Sequence, residues 1–348
     1  MDWPPGAGWS CGASCGATPS GDVASIRFPR IPAIRPFLLL LAVFLVSACA
    51  REPHLSKVRQ LTFGGQNAEA YFSADGEHLV FQATRTGRDC DAIYIIDVDG
   101  GGERLLSTGA GVTTCAYWLE DDTRILYAST HLEQANCPPP PDRSQGYVWP
   151  LHPAYDIFIM DLATGQQSRL TDAPGYDAEA TVGPDGRSIV FTSDRDGDLE
   201  IYRIQSDGSG LRRLTFEVGY DGGPFFSPDG QRIVYRASRP KNPAEVAEFR
   251  ALLALHLVKP ATLDIFVMDA DGGRTHRVTN LGGANFAPFW HPDGSRIIFS
   301  SNHDDPDGRE FDLWMIGDDG RGLERVTDTP DFDGFPMFSP GGTRLVWA

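Results

Sequence analysis

Basic residues are scarce in this chain. Its 30 Lys and Arg stand against 47 Asp and Glu, a formal net charge of −17 over 348 residues. Nucleic-acid phosphates demand a basic footprint, so that class of partner is excluded. Cysteine is sparse too, and six at this length cannot make a disulfide-stapled miniature scaffold. The apolar run Phe37–Val46 has ten residues, too few to span a bilayer. Nucleophile elbows of the form Gly-x-Ser-x-Gly occur only at Gly8–Gly12 and Gly12–Gly16, where no strand precedes and no helix follows. The acidic runs Asp194–Glu200 and Asp304–Gly308 lack the Gly-sixth, Glu-twelfth pattern of a calcium loop. What is present is a folded, loop-rich composition: 41% hydrophobic residues, 38 Gly and 26 Pro.

Arg27, Arg30 and Arg35 precede the apolar run, and small residues follow it, which is the pattern of a secretory signal. The run closes on Val46-Ser47-Ala48-Cys49, which resembles a bacterial lipobox. That resemblance implies cleavage before Cys49 and lipidation of its thiol. Ala50 in place of Asp implies outer-membrane sorting. Residues 1–48 are therefore expected to be signal peptide and extended leader, 49–56 a lipid-anchored linker, and 57–348 the folded part.

The folded part repeats. Turn signals recur at Ala74-Asp75-Gly76, Glu120-Asp121-Asp122, Pro184-Asp185-Gly186, Pro228-Asp229-Gly230, Pro292-Asp293-Gly294 and Pro340-Gly341-Gly342. Four residues past each central Asp or Gly341 begins an apolar triplet, from Leu79-Val80-Phe81 to Leu345-Val346-Trp347. Such runs after Asp-Gly turns predict buried strands. A third strand follows at Ile93, Ile157, Ile201, Ile265 and Leu313, and a fourth closes each unit, as at Leu170-Thr171 and Leu214-Thr215. Four short strands per unit predict a β-propeller, because one blade buries its sheet faces only against neighbours.

The repeats resemble those of TolB-like (WD40-like) propellers, on Phe226-Ser-Pro-Asp-Gly230, Asp264–Gly272 and their copies. The expected fold is all-β: a six-bladed propeller of four-stranded blades with the sixth incomplete. Val58–Thr62 supplies that blade's fourth strand and nothing supplies its third. TolB itself carries an α/β domain before its propeller, whereas here only about eight residues are expected between Cys49 and the first strand.

In a blade, the loops between strands two and three lie on the top face, where binding residues concentrate. These loops are long in blades two and four. The blade-two insert holds Pro138–Pro141, Tyr147, Trp149 and His152; Tyr147 and Trp149 either stack on a ligand or anchor the loop. The blade-four insert predicts a helix capped by Asn242, begun by Pro243 and stopped at Lys259-Pro260. Eight residues before each turn landmark stand Asn67, Thr113, Asp177, Asp221, Asn285 and Asp333; two further on stand Glu69, Cys115, Glu179, Gly223, Ala287 and Phe335. Period two places both sets at the mouth of the axial channel. Asp177, Glu179, Asp221, Asp333 and Asn285, with Tyr147 and Trp149, are the candidate ligand-binding residues. Arg85, His131, Arg195, Arg239 and His303 recur above them, and the acid–arginine pairs could equally be structural. His131 and His303, in opposite blades, are candidate ligands for a divalent metal at the channel mouth. Among Cys90, Cys115 and Cys137 an oxidising compartment favours one disulfide, whose pairing stays open.

Two function classes follow. The resemblance implies a monomeric, lipid-anchored envelope module whose top face binds a protein, peptide or glycan. The alternative is a metal-dependent lyase or hydrolase acting on envelope polymers. The address is testable first: Cys49→Ala should remain unprocessed or lose membrane association when expressed in a bacterial host. Normal processing and fractionation of that variant would remove the lipoprotein reading.

Overall fold

The computed structural model describes residues 54–348 apart from 120, 121, 143 and 145, so the leader and Cys49 lie outside the described residues. Five four-stranded antiparallel sheets follow one another as simple meanders. Blade one is Asn67–Phe72, His78–Ala83, Ala92–Asp97 and Arg104–Leu105. Blade two is Thr113–Trp118, Arg124–Ser129, Asp156–Asp161 and Gln167–Arg169. Blade three is Asp177–Val182, Ser188–Ser193, Glu200–Gln205 and Arg212–Arg213. Blade four is Asp221–Phe226, Arg232–Ala237, Asp264–Asp269 and His276–Arg277, and blade five is Asn285–Trp290, Arg296–Ser301, Asp312–Gly317 and Glu324–Arg325.

The second strands explain their continuous apolar triplets, since both faces are covered by neighbouring blades. Ile189, Val190 and Phe191 are fully buried, as are Ile233, Val234 and Tyr235. The preceding turn is held by its own side chains: in blade four Asp229 accepts from the Ser227 hydroxyl at 2.5 Å and from Gln231 N–H at 3.0 Å, and Gly230 takes φ 69°.

A second device recurs at the outer edge. The fourth-strand threonines Thr171, Thr215, Thr279 and Thr327 accept the first free N–H of strand three at Ile157, Ile201, Ile265 and Leu313, at 2.9–3.0 Å. Two residues earlier an arginine pairs with the acid that opens strand three: Arg169 with Asp156, Arg213 with Glu200, Arg277 with Asp264, Arg325 with Asp312.

Six blades were expected and five are built. In the sixth place stands a two-stranded hairpin, Met337–Phe338 with Leu345–Val346. The strand expected at Val58–Thr62 does not form. Among the described residues no third strand flanks the hairpin, so this segment has no ladder to join. Leu61 nevertheless lies against Gly100 of blade one, as Leu214 lies against Gly272 and Val278 against Gly320. The hairpin closes the ring on blade one: Arg344 donates to Gly76 O at 2.5 Å and lies over the Phe72 ring.

The two inserts meet. Trp149–Pro150 pairs antiparallel with Leu257–Val258, and Leu151 N–H donates to His256 O at 2.8 Å. The helix, α1, spans Pro243–Leu253, with the Asn242 side chain accepting from Ala244 and Glu245 N–H and Phe249 buried beneath. It ends well before the expected stop at Lys259-Pro260, because Leu257–Val258 is drawn into the insert sheet and His256 turns the chain at φ 56°. Cys90 of blade one is disulfide-bonded to Cys137 of the blade-two insert, and Cys115 is free and buried.

Arg213→Ala would strand the fully buried Glu200 carboxylate and is expected to cost about 3 kcal/mol, against about 1 kcal/mol for Thr215→Val. Urea unfolding at pH 7 measures both. Near-equal small losses would show that the strand-end pair contributes little.

Candidate functional site

Each first strand of the five blades breaks register at the same place, as between Ala178 and Thr181 in blade three and Ala68 and Tyr71 in blade one. The residue at the break is left-handed every time: Glu69, Cys115, Glu179, Gly223 and Ala287, and Phe335 ahead of the hairpin, at φ 49–58°. Five of these six are not glycine, although L residues seldom adopt that conformation. All six line one axial cavity of about 30 Å³, room for a water or two. Neighbouring blades hold the strained amides. Cys115 N–H donates to Gln82 Oε1 at 3.0 Å, Gly223 N–H to Glu179 Oε2 at 2.8 Å, and Phe335 N–H to Ser300 Oγ at 3.2 Å.

Glu179 is the hub. It accepts from Thr192 Oγ1 at 2.6 Å and Tyr220 Oη at 2.7 Å, and it pairs with Arg236. Burial opposes its charge, yet Arg236 and these donors together hold its carboxyl below the usual range. Arg236 lies between the Tyr220 and Trp149 rings, 5.2 and 5.3 Å from their centroids, so the insert sheet reaches down onto the cavity wall. A Cβ on Gly223 would strike the Arg236 guanidinium, which explains glycine at that place in the ring.

Across the cavity, no ion pair joins Glu69 to an arginine among the described residues, and Arg236 acts on it only through space. Its nearest donors are the Cys115 thiol and Tyr71 Oη, the latter at 3.5 Å. Burial raises its carboxyl to about 7. Burial likewise pushes the Cys115 thiol well above its usual value, and Glu69 adds to the effect. The ring thus holds one exchangeable proton near neutral pH beside a closed ion pair.

Of the candidates named from sequence, Glu179 alone lines this cavity. The register break defeats period two, so Asp177 does not accompany it. Asp177 is 1% exposed, and both its carboxylate oxygens accept from one nitrogen, Nη2, of Arg195 at 2.8 Å. Asp221 pairs with Arg239 at 2.5 Å. Asn285 donates to Leu263 O and accepts from Ser301 Oγ; Asp333 accepts from Thr329 Oγ1 and Trp347 Nε1. Asp177 and Asp221 thus close their own blades, whereas Asn285 also reaches back to blade four. His131 and His303 repeat the arginine position: each contacts a serine through Nδ1 and packs on an aromatic ring, Phe158 or Trp314, and burial lowers both imidazoles. Among the described residues no group of three or more His, Cys, Asp or Glu is arranged to hold a metal ion. Trp149 donates to Tyr147 Oη at 3.1 Å and packs toward Tyr220 and Phe286. The reading from sequence missed Arg236 and Tyr220. Arg236 carried a signal: the same place one residue past the second-strand aromatic holds Gln82, Ala128, Thr192 and Ser300 elsewhere.

Repeat, meander and closed axial ring define a β-propeller. The family model described as the TolB beta propeller domain matches residues 151–252. An uncharacterized protein of Agrobacterium fabrum is 29% identical over 213 residues, 60% of this chain and 61% of its own length. The Tol-Pal system protein TolB of Bordetella pertussis is 48% identical over 53 residues, 15% of this chain and 12% of TolB. Either match spans less than two thirds of the relative. The structure of a putative TolB from Agrobacterium tumefaciens superposes with a TM-score of 0.50 at 26% identity, over 65% of this chain and 70% of that one. Residues 151–252 thus match the TolB beta propeller domain, and the chain as a whole is similar to TolB-like propeller proteins.

The folded state keeps the Glu69 proton to about pH 7, whereas the unfolded chain releases it near 4.5. Stability from this group is therefore present below pH 4.5 and is lost as pH rises to 7. Glu69→Gln should lose that slope and exceed the parent above pH 7 by up to about 3 kcal/mol. Urea titrations at pH 5, 6, 7 and 8 read the difference, and parallel slopes for the two proteins would assign Glu69 an ordinary titration.

Proposed function

We propose that this protein is a binding module of the bacterial cell envelope, held at the membrane through lipidated Cys49 and presenting its top face to a protein, peptide or glycan. No helix among the described residues is long and apolar enough to cross a membrane. The observation that carries the reading is the insert sheet. Two loops from non-adjacent blades pair with each other, one is pinned to blade one by Cys90–Cys137, and the other rests on α1. The result is a composite platform over the axis, pre-ordered before any partner arrives. Leu132, Leu255 and Tyr147 remain exposed on the two inserts, apolar contacts of the kind that anchor interfaces. The upper acids weigh toward binding rather than metal-dependent catalysis, since Asp177 and Asp221 are already taken by arginines.

Photo-crosslinkers placed at Leu132, Tyr147 and Leu255 in the native envelope test the platform. The expected outcome is one shared adduct, and the adduct from Tyr147 is lost when Leu132 and Leu255 are both changed to Asp. Adducts formed equally well from a control site on the outer fourth strands, such as Leu211, would place the contact elsewhere.

A further inference from the structure

We propose that the hairpin in the sixth place, together with residues 59–62, is a strand-acceptor site. It takes one extended segment of a partner polypeptide, an aliphatic residue followed by an aromatic one, as the third strand of that blade. This goes beyond the top-face reading and does not depend on it.

Both flanks of such a strand are in place. On one side, Arg344 O accepts from Ser339 N–H at 2.9 Å, and Ala348 exchanges bonds with Gly334 at 2.7 and 2.8 Å, so every second residue of the outer hairpin strand faces inward. The backbone groups of Leu345 and Trp347 face the other way, and among the described residues no strand pairs with that edge. Leu345, Val346 and Trp347 are only half-buried, whereas the matching triplets of all five blades are buried. On the other side, residues 59–62 keep the contacts of a fourth strand without its ladder. Gln60 Nε2 donates to Thr62 O at 2.8 Å, as Arg169, Arg213 and Arg325 donate to Thr171, Thr215 and Thr327 O at 2.7–3.0 Å. Arg59 donates to Val98 O at 2.6 Å, at the place where His276 contacts Asp318 O. Leu55 joins the apolar cluster that Leu345 and Trp347 pack against, but brings no strand to the edge.

The five complete blades define the chemistry that fits between such flanks. In each, the aromatic of strand three lies opposite the aromatic of strand two, as Tyr94 opposite Phe81 and Phe266 opposite Tyr235. Trp347 holds that position in the hairpin, so the incoming aromatic pairs with it. The residue before the aromatic is Ile or Leu, and in blades two to five its N–H donates to the fourth-strand threonine, whose counterpart is Thr62. The opening residue differs. Blades two to five open strand three with an acid, paired to an arginine two residues before the threonine. Here that place is Gln60, and in blade one it is Leu105, where strand three opens with Ala92. The selected segment is therefore neutral at its start, aliphatic then aromatic, and free of proline, because its backbone must donate to both flanks.

The test uses the whole protein and a fluorescein-labelled synthetic copy of Ala92–Gly100, the third strand with the neutral opening, read by fluorescence anisotropy. Near-UV circular dichroism checks that each variant keeps its fold. The proposal expects saturable binding, weakened at least about tenfold by Leu345→Pro, which removes an edge N–H, and by Tyr94→Pro in the peptide. Thr62→Val should weaken it about threefold or more. The proposal is overturned if no saturable binding is seen. It is equally overturned if Leu345→Pro and Thr62→Val bind as the parent does, or if the Tyr94→Pro peptide binds as well as the original, since the peptide would then be held elsewhere. A dimer in sedimentation that Leu345→Pro splits and the peptide does not would also overturn it, because a second copy would then own the edge. Should Leu345→Pro fail to fold, Thr62→Val and the altered peptide decide.

Discussion

Everything at the centre of this protein depends on one backbone constraint, the left-handed residue in the first strand of each blade. A regular strand would send alternate side chains into the flanking blades and leave the axis lined by backbone. The register break turns one side chain per blade inward and frees an N–H that the ladder cannot use. The neighbouring blade takes up that N–H, through Gln82, Glu179 or Ser300. Conformational strain of about 1 kcal/mol or more per residue is thereby offset by contacts that only a closed ring supplies. Blade geometry and ring closure are two aspects of the same requirement.

The outer rim obeys a different logic. There, in blades two to five, a threonine and an arginine at the fourth strand secure the start of the third strand of the same blade, and no neighbour is needed. Blades are thus stitched internally at the rim and mutually at the axis. At the axis, strain and burial coincide at the near-neutral proton of Glu69 and at the Glu179–Arg236 pair.

The fold was legible because its signals are local. A turn and an apolar triplet four residues later need no knowledge of the rest of the chain, and the five complete blades follow from them. Those same landmarks overcounted blades, because each marks one inner hairpin and not a finished sheet; Pro340-Gly341-Gly342 makes its hairpin and goes no further. The axial ring was legible in position but not in meaning. Counting from the turn reached Glu69, Cys115 and Glu179, yet alternation grouped Glu179 with Asp177, whereas the break in register separates them. The insert sheet was illegible, since two residues in each of two distant loops carry no periodicity. The Cys90–Cys137 pairing stayed open for the same reason, as three cysteines at the top of two blades satisfy the sequence in more than one way.

The pairing of Trp149–Pro150 with Leu257–Val258 has a consequence for how the molecule comes apart. A propeller without it behaves as a circular array in which each blade feels only its two neighbours, so one seam can part while the rest stands. Here the inserts of blades two and four are joined across blade three. Separating either seam of blade three also loads the strap, and three blades answer as a single cooperative unit. Blade five and the hairpin lie outside that unit and meet the remainder at seams no strap crosses. Native-state hydrogen exchange in such a ring is expected to divide into a slow sector and a fast one, with the boundary drawn by two loops and not by the blades themselves.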